Sequence, residues 1–174
     1  SIHIFAYSSL LFKRVNESLS ERYEIQPIGK VEEEGETSKV RIYPKFTAAL
    51  QGIEGFSHLI ILYWFHLRDN TKDRSTLKVI PKRHPGAPEV GVFACRSPTR
   101  PNPIGFCVTQ LLHVEENVLI IKGLDALKDS PIIDIKPYSP RADMITNAKV
   151  PKWALHGPTT CLLYTSPSPR DRTR

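Results

Sequence analysis

Fifteen residues carry most of the chemistry this sequence offers: Gly91 to Gly105, which read Gly-Val-Phe-Ala-Cys-Arg-Ser-Pro-Thr-Arg-Pro-Asn-Pro-Ile-Gly. The run starts strand-like at Val92, Phe93 and Ala94, and then sets two arginines among three prolines and an asparagine. Proline fixes φ and donates no ladder hydrogen bond, so the second part is neither helix interior nor central strand. Each residue before a proline (Ser97, Arg100, Asn102) is also pushed towards extended geometry. The expected product is a stiff loop at the end of a buried strand, holding Arg96, Ser97, Arg100 and Asn102 with little freedom. Such a loop suits a binding site; a rigid connector with its arginines in solvent is the plainer alternative.

A second stretch, Asp134-Ile135-Lys136-Pro137-Tyr138, is preceded by Gly123-Leu124-Asp125. Asp134 and Lys136 alternate with Ile133 and Ile135, so both should face away from those isoleucines. Pro137 ends the strand and leaves Lys136 and Tyr138 at its mouth. Taken alone, this stretch reads as an exposed ion pair between neighbours, which is common and contributes little.

The elements that must position these residues are short strands. Ile25, Ile28 and Val31 suggest a first strand ending in a solvated acidic turn, Glu32-Glu33-Glu34. Val40, Ile42 and Tyr43 alternate with Lys39 and Arg41, the period of a half-buried strand. Phe46 to Leu50 can form a helical turn, and Phe56 to His66 reads as a buried central strand from its β-branched and aromatic content. Asp69 to Ser75 reads as an exposed loop, and Leu77, Val79 and Ile80 as a further short strand. Phe106 to Leu112 and Val118 to Ile121 form a hairpin about Glu115-Glu116-Asn117, and Ile132, Ile133 and Ile135 a last strand. No long 3.6-residue period occurs, so the fold class is all-β, a barrel or sandwich with short helical turns.

Composition sets wider bounds. The 174 residues suffice for one domain with a core, and the net charge of +6 leans weakly towards a polyanionic partner. Lys82, Arg83 and His84 add positive charge just before the motif. The longest apolar run, Leu59 to Phe65, is strand-sized, so no membrane span is expected. The three cysteines lack metal-ligand or paired spacing; Cys95 and Cys107 read as reduced core residues, which fits a cytoplasmic protein without metal. In residues 1–22 the apolar run precedes Lys13-Arg14, the reverse of a signal peptide's order, and the segment stays unassigned. Cys161 to Asp171 reads like the in-frame translation of a sequencing adaptor, making 161–174 a non-native tail. Without its three arginines and one aspartate the net charge falls from +6 to +4. The barrel domain is therefore expected over residues 23–160.

The two motif stretches together resemble the TsaA-like (TrmO) family of tRNA methyltransferases. The resemblance runs from about Tyr23 to Trp153. It rests on Phe56-Ser57-His58-Leu59, Tyr63-Trp64-Phe65-His66, Gly91 to Ser97, Arg100 to Gly105, Gly123-Leu124-Asp125 and Asp134 to Tyr138, in the family's order. The chain looks like the short form, without the extra C-terminal domain or the longer insert after the first strand. The resemblance implies a single-sheet β-barrel, usually a homodimer, that binds S-adenosylmethionine near the subunit interface. It implies methyl transfer to the exocyclic amino nitrogen of threonylcarbamoyl-adenosine beside a tRNA anticodon. The missing strand–Gly-x-Gly–helix unit fits a cofactor site that is not of the Rossmann kind. By the family pattern, His66, Leu67, Arg96, Leu111 and Leu127, Lys128, Asp129 and Ser130 would contact the cofactor, with Arg96 gripping its carboxylate. Asp134, Lys136, Tyr138 and Asn102 are the catalytic candidates, with Asp134 or Tyr138 as base and Lys136 or Arg100 steadying the carbamoyl group. Arg100, Lys82 and Arg83 would meet the anticodon loop. A non-catalytic RNA-binding barrel and a methyltransferase on another small acceptor are the rival readings.

Overall fold

A computed structural model describes residues 23–155; the N-terminal segment 1–22 and the adaptor-like tail lie outside the described residues. Six antiparallel strands close into a barrel in the order β1-β2-β7-β6-β3-β8, so the all-β barrel expected from the strand pattern is what forms. The strands are β1 (Gly29–Glu33), β2 (Thr37–Ile42), β3 (His58–Trp64), β6 (Ile104–Glu115), β7 (Val118–Lys122) and β8 (Pro131–Pro137). A separate two-stranded sheet pairs β4 (Lys78–Val79) with β5 (Val90–Gly91).

Alternation explains the core. Val40 and Ile42 of β2, Leu59, Ile61 and Tyr63 of β3, and Gly105, Cys107, Thr109 and Leu111 of β6 all turn inward and are buried. Their neighbours Lys39, Arg41, His58 and Gln110 turn out. Registers such as Val40 opposite Leu119 and Ile61 opposite both Cys107 and Ile135 bring these inward residues together. Removing such apolar side chains from water is the main stabilising term, at about 25 cal/mol per Å².

β6 makes closure possible. Its first half pairs with β3 and its second half with β7, with a register shift between Leu111 and His113 that bends the strand. The turn back into β7 places Glu116 at φ 54°, at the Glu115–Asn117 corner expected from sequence. The seam between β1 and β8 is the shortest, only Gly29 opposite Ile132 and Lys30 opposite Pro131. A Cβ at Gly29 would run into the Arg41 carbonyl, so a larger residue there would force β1 and β2 apart.

Several sequence expectations shift. Glu32 and Glu33 belong to β1, not to a turn, because Arg41 and Lys39 of β2 pair with them across the strands. Asp69 to Ser75 is not a plain loop: Thr71–Ser75 forms a short helix, α1, capped by the Asn70 side chain accepting from the Asp73 amide at 2.9 Å. Val92–Ala94 is a 3-10 turn after β5 rather than a strand, and its Phe93 is 81% exposed. Leu77 and Ile80 flank β4 and are exposed. Cys107 is buried as expected, whereas Cys95 is only half-buried. Asp134 and Lys136 do face away from Ile135, but a register shift opposite Leu62 and Tyr63 takes Ile133 out of that alternation. No described helix is long and apolar enough to cross a membrane.

Tyr63 marks the most constrained point. It lies opposite Gly105, is 2% exposed, and donates a hydrogen bond to the Asp125 carbonyl at 2.8 Å. A Cβ at Gly105 would stand 2.5 Å from Tyr63 Cε2. Gly105→Ala should therefore lower stability by about 1–3 kcal/mol as an overpacked site. The measurement is a urea titration, where the midpoint should fall at unchanged m; an unshifted midpoint would show that the ring moves aside freely.

Candidate active site

Two adjoining cavities open at the end of the barrel where β3 finishes and β6 begins. The smaller, about 230 Å³, is lined by His66, Leu67, Leu127, Ser130 and Pro98. The larger, about 630 Å³, is lined by Arg83, Arg96, Arg100, Phe106 and Trp153 among others. Tyr63, Phe65 and Asp125 line both and form their common floor. Tyr63 and Phe65 meet edge to face, centroids 5.2 Å apart.

Chain order and local chemistry explain the convergence. β3 ends at Trp64, and Phe65 starts a 3-10 turn, His66–Arg68, that throws His66 and Leu67 over the barrel rim. The loop after β7 arrives beside it, because its backbone is tied into the β1/β8 seam. The Asp129 amide donates to the Val31 carbonyl at 2.8 Å, and the Val31 amide to the Ser130 carbonyl at 3.1 Å. Asp129, at φ 66°, makes the turn and pairs with Lys30, while the Lys128 amide donates to Glu34. The Ser130 hydroxyl then lies 3.3 Å from His66 Nδ1. Residues 64 apart in sequence thus share one small cavity. Lys128 and Asp129 sit on its outer side, exposed, and do not line it.

The motif loop is held from outside by α1. Asp73 accepts from Thr99 Oγ1 at 2.9 Å, and Arg74 donates to the Pro101 carbonyl at 3.0 Å. Arg74 also donates to Asp69, which accepts from Trp64 Nε1 at 2.9 Å. The Phe65 amide donates to the Pro103 carbonyl at 2.8 Å, which pins the buried Pro103 to the end of β3. The prolines do not hold the loop alone: α1, which reads as an exposed loop in the sequence, ties it at Thr99 and Pro101.

The candidates separate accordingly. His66, Leu67, Leu127, Ser130 and Arg96 are brought together, with the Arg96 guanidinium over the Phe106 ring at 5.3 Å. Arg83 joins them on the larger cavity, whereas Lys82 is exposed and lines neither. Leu111 does not reach the site. It faces the barrel core at 9% exposure, because β6 turns its odd-numbered residues inward there; the β6 side chains that line the larger cavity are Ile104 and Phe106. Arg100 lines the larger cavity and also donates to the carbonyls of Ser97 and Val92 in its own loop at 3.2 and 3.0 Å, so its guanidinium braces the motif. Asn102 is exposed at the loop's tip and lines neither cavity.

Asp134, Lys136 and Tyr138 lie elsewhere on the same chain. Asp134 stands opposite Leu62 and Lys136 opposite Ile60, and they pair with each other at 2.8 Å on the outer face. Tyr138 packs edge-on against His58, at the far end of β3. At ~3.3 Å per residue that end is roughly 20 Å from Trp64. Asp134 instead borders an apolar hollow of about 360 Å³ formed with Phe46, Ile53 and Ile135. One chain therefore does not juxtapose the two candidate groups.

Sequence reading assigned no role to Tyr63, Phe65, Asp125 or Phe106. Asp125 is the one with a usable signal: a carboxylate between Leu124 and Ala126 that is 5% exposed needs a reason to be there. Among the described residues no group of His, Cys, Asp or Glu could hold a metal ion.

The sequence model of the tRNA-methyltransferase O N-terminal domain matches residues 16–144. A protein of Archaeoglobus fulgidus called a probable S-adenosyl-L-methionine-binding protein is 48% identical over 115 residues, 66% of this chain and 30% of that one. The human tRNA (adenine(37)-N6)-methyltransferase is 39% identical over 111 residues, 64% of this chain and 24% of that one. A crystal structure of TrmO from Pseudomonas aeruginosa superposes with a TM-score of 0.62 at 28% identity, covering 80% of this chain and 64% of that one. The chain thus spans less than a third of the two relatives' own length.

The carboxylates behind the motif loop give it a pH signature. Arg74 and then Trp64 hold the Asp69 carboxyl below its ordinary range; Asn70 and then Thr99 do the same for Asp73. A depressed folded value means that the stabilisation is fully present above the unfolded value and is lost as pH falls through the folded one. In urea titrations the midpoint difference between wild type and Asp73→Ala should be full above pH ~4 and shrink below it. A difference independent of pH would remove the carboxylate from the loop's support.

Proposed function

The chain belongs to the tRNA-methyltransferase O N-terminal domain family, and on that premise we propose that it is an S-adenosylmethionine-dependent tRNA methyltransferase. Its acceptor in this reading is the exocyclic amino nitrogen of threonylcarbamoyl-adenosine, next to the anticodon. The supporting observation is the convergence of His66, Leu67, Leu127 and Ser130 in one cavity with Arg96 in the cavity adjoining it.

The residues present fit the cofactor's chemistry. A cleft with leucines and a Ser–His pair offers an apolar slot with hydrogen-bonding groups at its edge, which suits a nucleoside. Arg96, spread over Phe106 next door, offers a planar fork for a carboxylate. When bound, the cofactor supplies a methyl group on a positively charged sulfur. The chain's own task is positioning: to hold that end of the cofactor over the shared floor of Tyr63, Phe65 and Asp125 and to exclude water there.

The acceptor nitrogen is conjugated to a carbonyl and is a poor nucleophile, so a base and a cation near it would accelerate transfer. Asp134 or Tyr138 as base and Lys136 as cation keep these roles in a homodimer, where a second copy would present its outer β8 face to the cavities of the first. That arrangement reconciles their placement with the family pattern. Arg83, Lys82 and the braced loop around Arg100 and Asn102 would meet anticodon-loop phosphates in the cytoplasm. A non-catalytic RNA-binding barrel is the second reading, favoured by the separation of Asp134 and Tyr138 from the cavities within one chain.

Incubation with methyl-labelled S-adenosylmethionine and either threonylcarbamoylated or unmodified tRNA decides between them. Label should enter only the modified tRNA. Label in neither, with tRNA still bound, leaves the binding module; label in both removes the proposed acceptor. In calorimetry Arg96→Lys should weaken cofactor binding by about tenfold, since a point charge replaces a two-pronged grip.

A further inference from the structure

The larger cavity has a wall the cofactor does not account for. At about 630 Å³ it has room for more than the amino-acid end of a donor whose nucleoside occupies the smaller cavity. Beyond Tyr63 and Phe65, its lining includes Val150, Trp153 and Ala154 together with Arg83 and His84. Trp153 rides on a 3-10 turn, Lys152–Ala154, that lies beyond the last strand. It is half-buried and meets the His84 ring edge to face, with centroids 5.4 Å apart at 83°.

His84 adds the second observation. Its Nδ1 is buried and has no hydrogen-bond partner among the described residues. A buried imidazole nitrogen in this condition is costly, so the ring's placement against Trp153 is held at some expense. The wall therefore offers an indole, an imidazole ring packed on it and, from Arg83, positive charge. Its complement is a planar base with hydrogen-bonding edges on an anionic backbone.

We propose that Trp153 and His84 form the subsite for the acceptor base: the extruded purine stacks against the indole, and the His84 ring holds the indole in place. This rests on the tRNA reading above and makes the substrate at this wall an RNA purine nucleotide. Both residues position substrate and take no part in moving the methyl group.

Trp64 and Trp153 are the chain's two tryptophans, so a Trp64→Phe protein reports on Trp153 alone. Its fluorescence should be quenched by an anticodon stem-loop RNA carrying threonylcarbamoyl-adenosine and not by S-adenosylhomocysteine. In turnover, Trp153→Ala should raise KM for that stem-loop roughly tenfold or more, as expected for losing one stacked base. Trp153→Phe should recover most of it, and S-adenosylhomocysteine affinity should stay within about twofold in both. Quenching by S-adenosylhomocysteine alone would assign the wall to the cofactor and overturn the proposal. So would an unchanged stem-loop KM in Trp153→Ala. If the wild type transfers no methyl yet the stem-loop still quenches, the methyltransferase reading fails and the base subsite stands; with neither transfer nor quenching, both fall.

Discussion

The site depends on one ring lying across one glycine. Tyr63 of β3 sits over Gly105 of β6, with no room for a Cβ between them, and its hydroxyl reaches the carbonyl of Asp125. That single side chain joins the end of β3, the start of β6 and the loop after β7. Each of those carries a different part of the site: His66 and Leu67, the Arg96–Phe106 pair, and Leu127 with Ser130. A buried hydroxyl with a satisfied acceptor fixes direction as well as distance, whereas an apolar ring of similar size would fix neither. The floor of the cavities is rigid because it is a piece of the core.

A second layer holds the walls. The Arg-Pro-Asn-Pro loop has little freedom of its own, and α1 uses Asp73 and Arg74 to hold it at Thr99 and Pro101. Arg100 then caps carbonyls within the loop. Both arginines of the motif line the larger cavity, but Arg100 also braces its own loop while Arg96 lies over Phe106. Their chemical likeness hides this in a sequence, because the distinction lies in the backbone's direction at each position.

What was legible followed from periodicity and punctuation. The alternation of Val40 and Ile42 with Lys39 and Arg41, the apolar run to Trp64, and the Glu115–Asn117 corner each report a local preference that the barrel respects. The misses have local causes too. Asp69 to Ser75 is too short and too polar to show a helical period, and its helix depends on a cap and on contacts with a loop far along the chain. Leu111, a cofactor candidate by the family pattern, has the same inward parity as Cys107 and Thr109, whereas Phe106, one step out of phase, lines the cavity. Tyr63, Phe65 and Asp125 lie in or beside apolar runs, where side chains read as core, and here they are core and site at once. Asp134, Lys136 and Tyr138 were legible as a motif, but a motif carries no information about which face of the barrel it will occupy.

The β1/β8 seam has a consequence for how the molecule assembles. Gly29 and Ile132 are the most distant in sequence of all the paired strand residues, and only two residue pairs join their strands. The β1–β2 and β6–β7 hairpins close short loops and can form early, whereas this seam carries the largest loop-closure cost for the fewest bonds. On loop-closure grounds it is expected to form last and to open first. The Leu127–Ser130 loop is hydrogen-bonded into that same seam, so a chain with every other strand paired still lacks half of its small cavity. A ligand seated in the small cavity would therefore bind only the fully closed barrel and act as a latch on this joint.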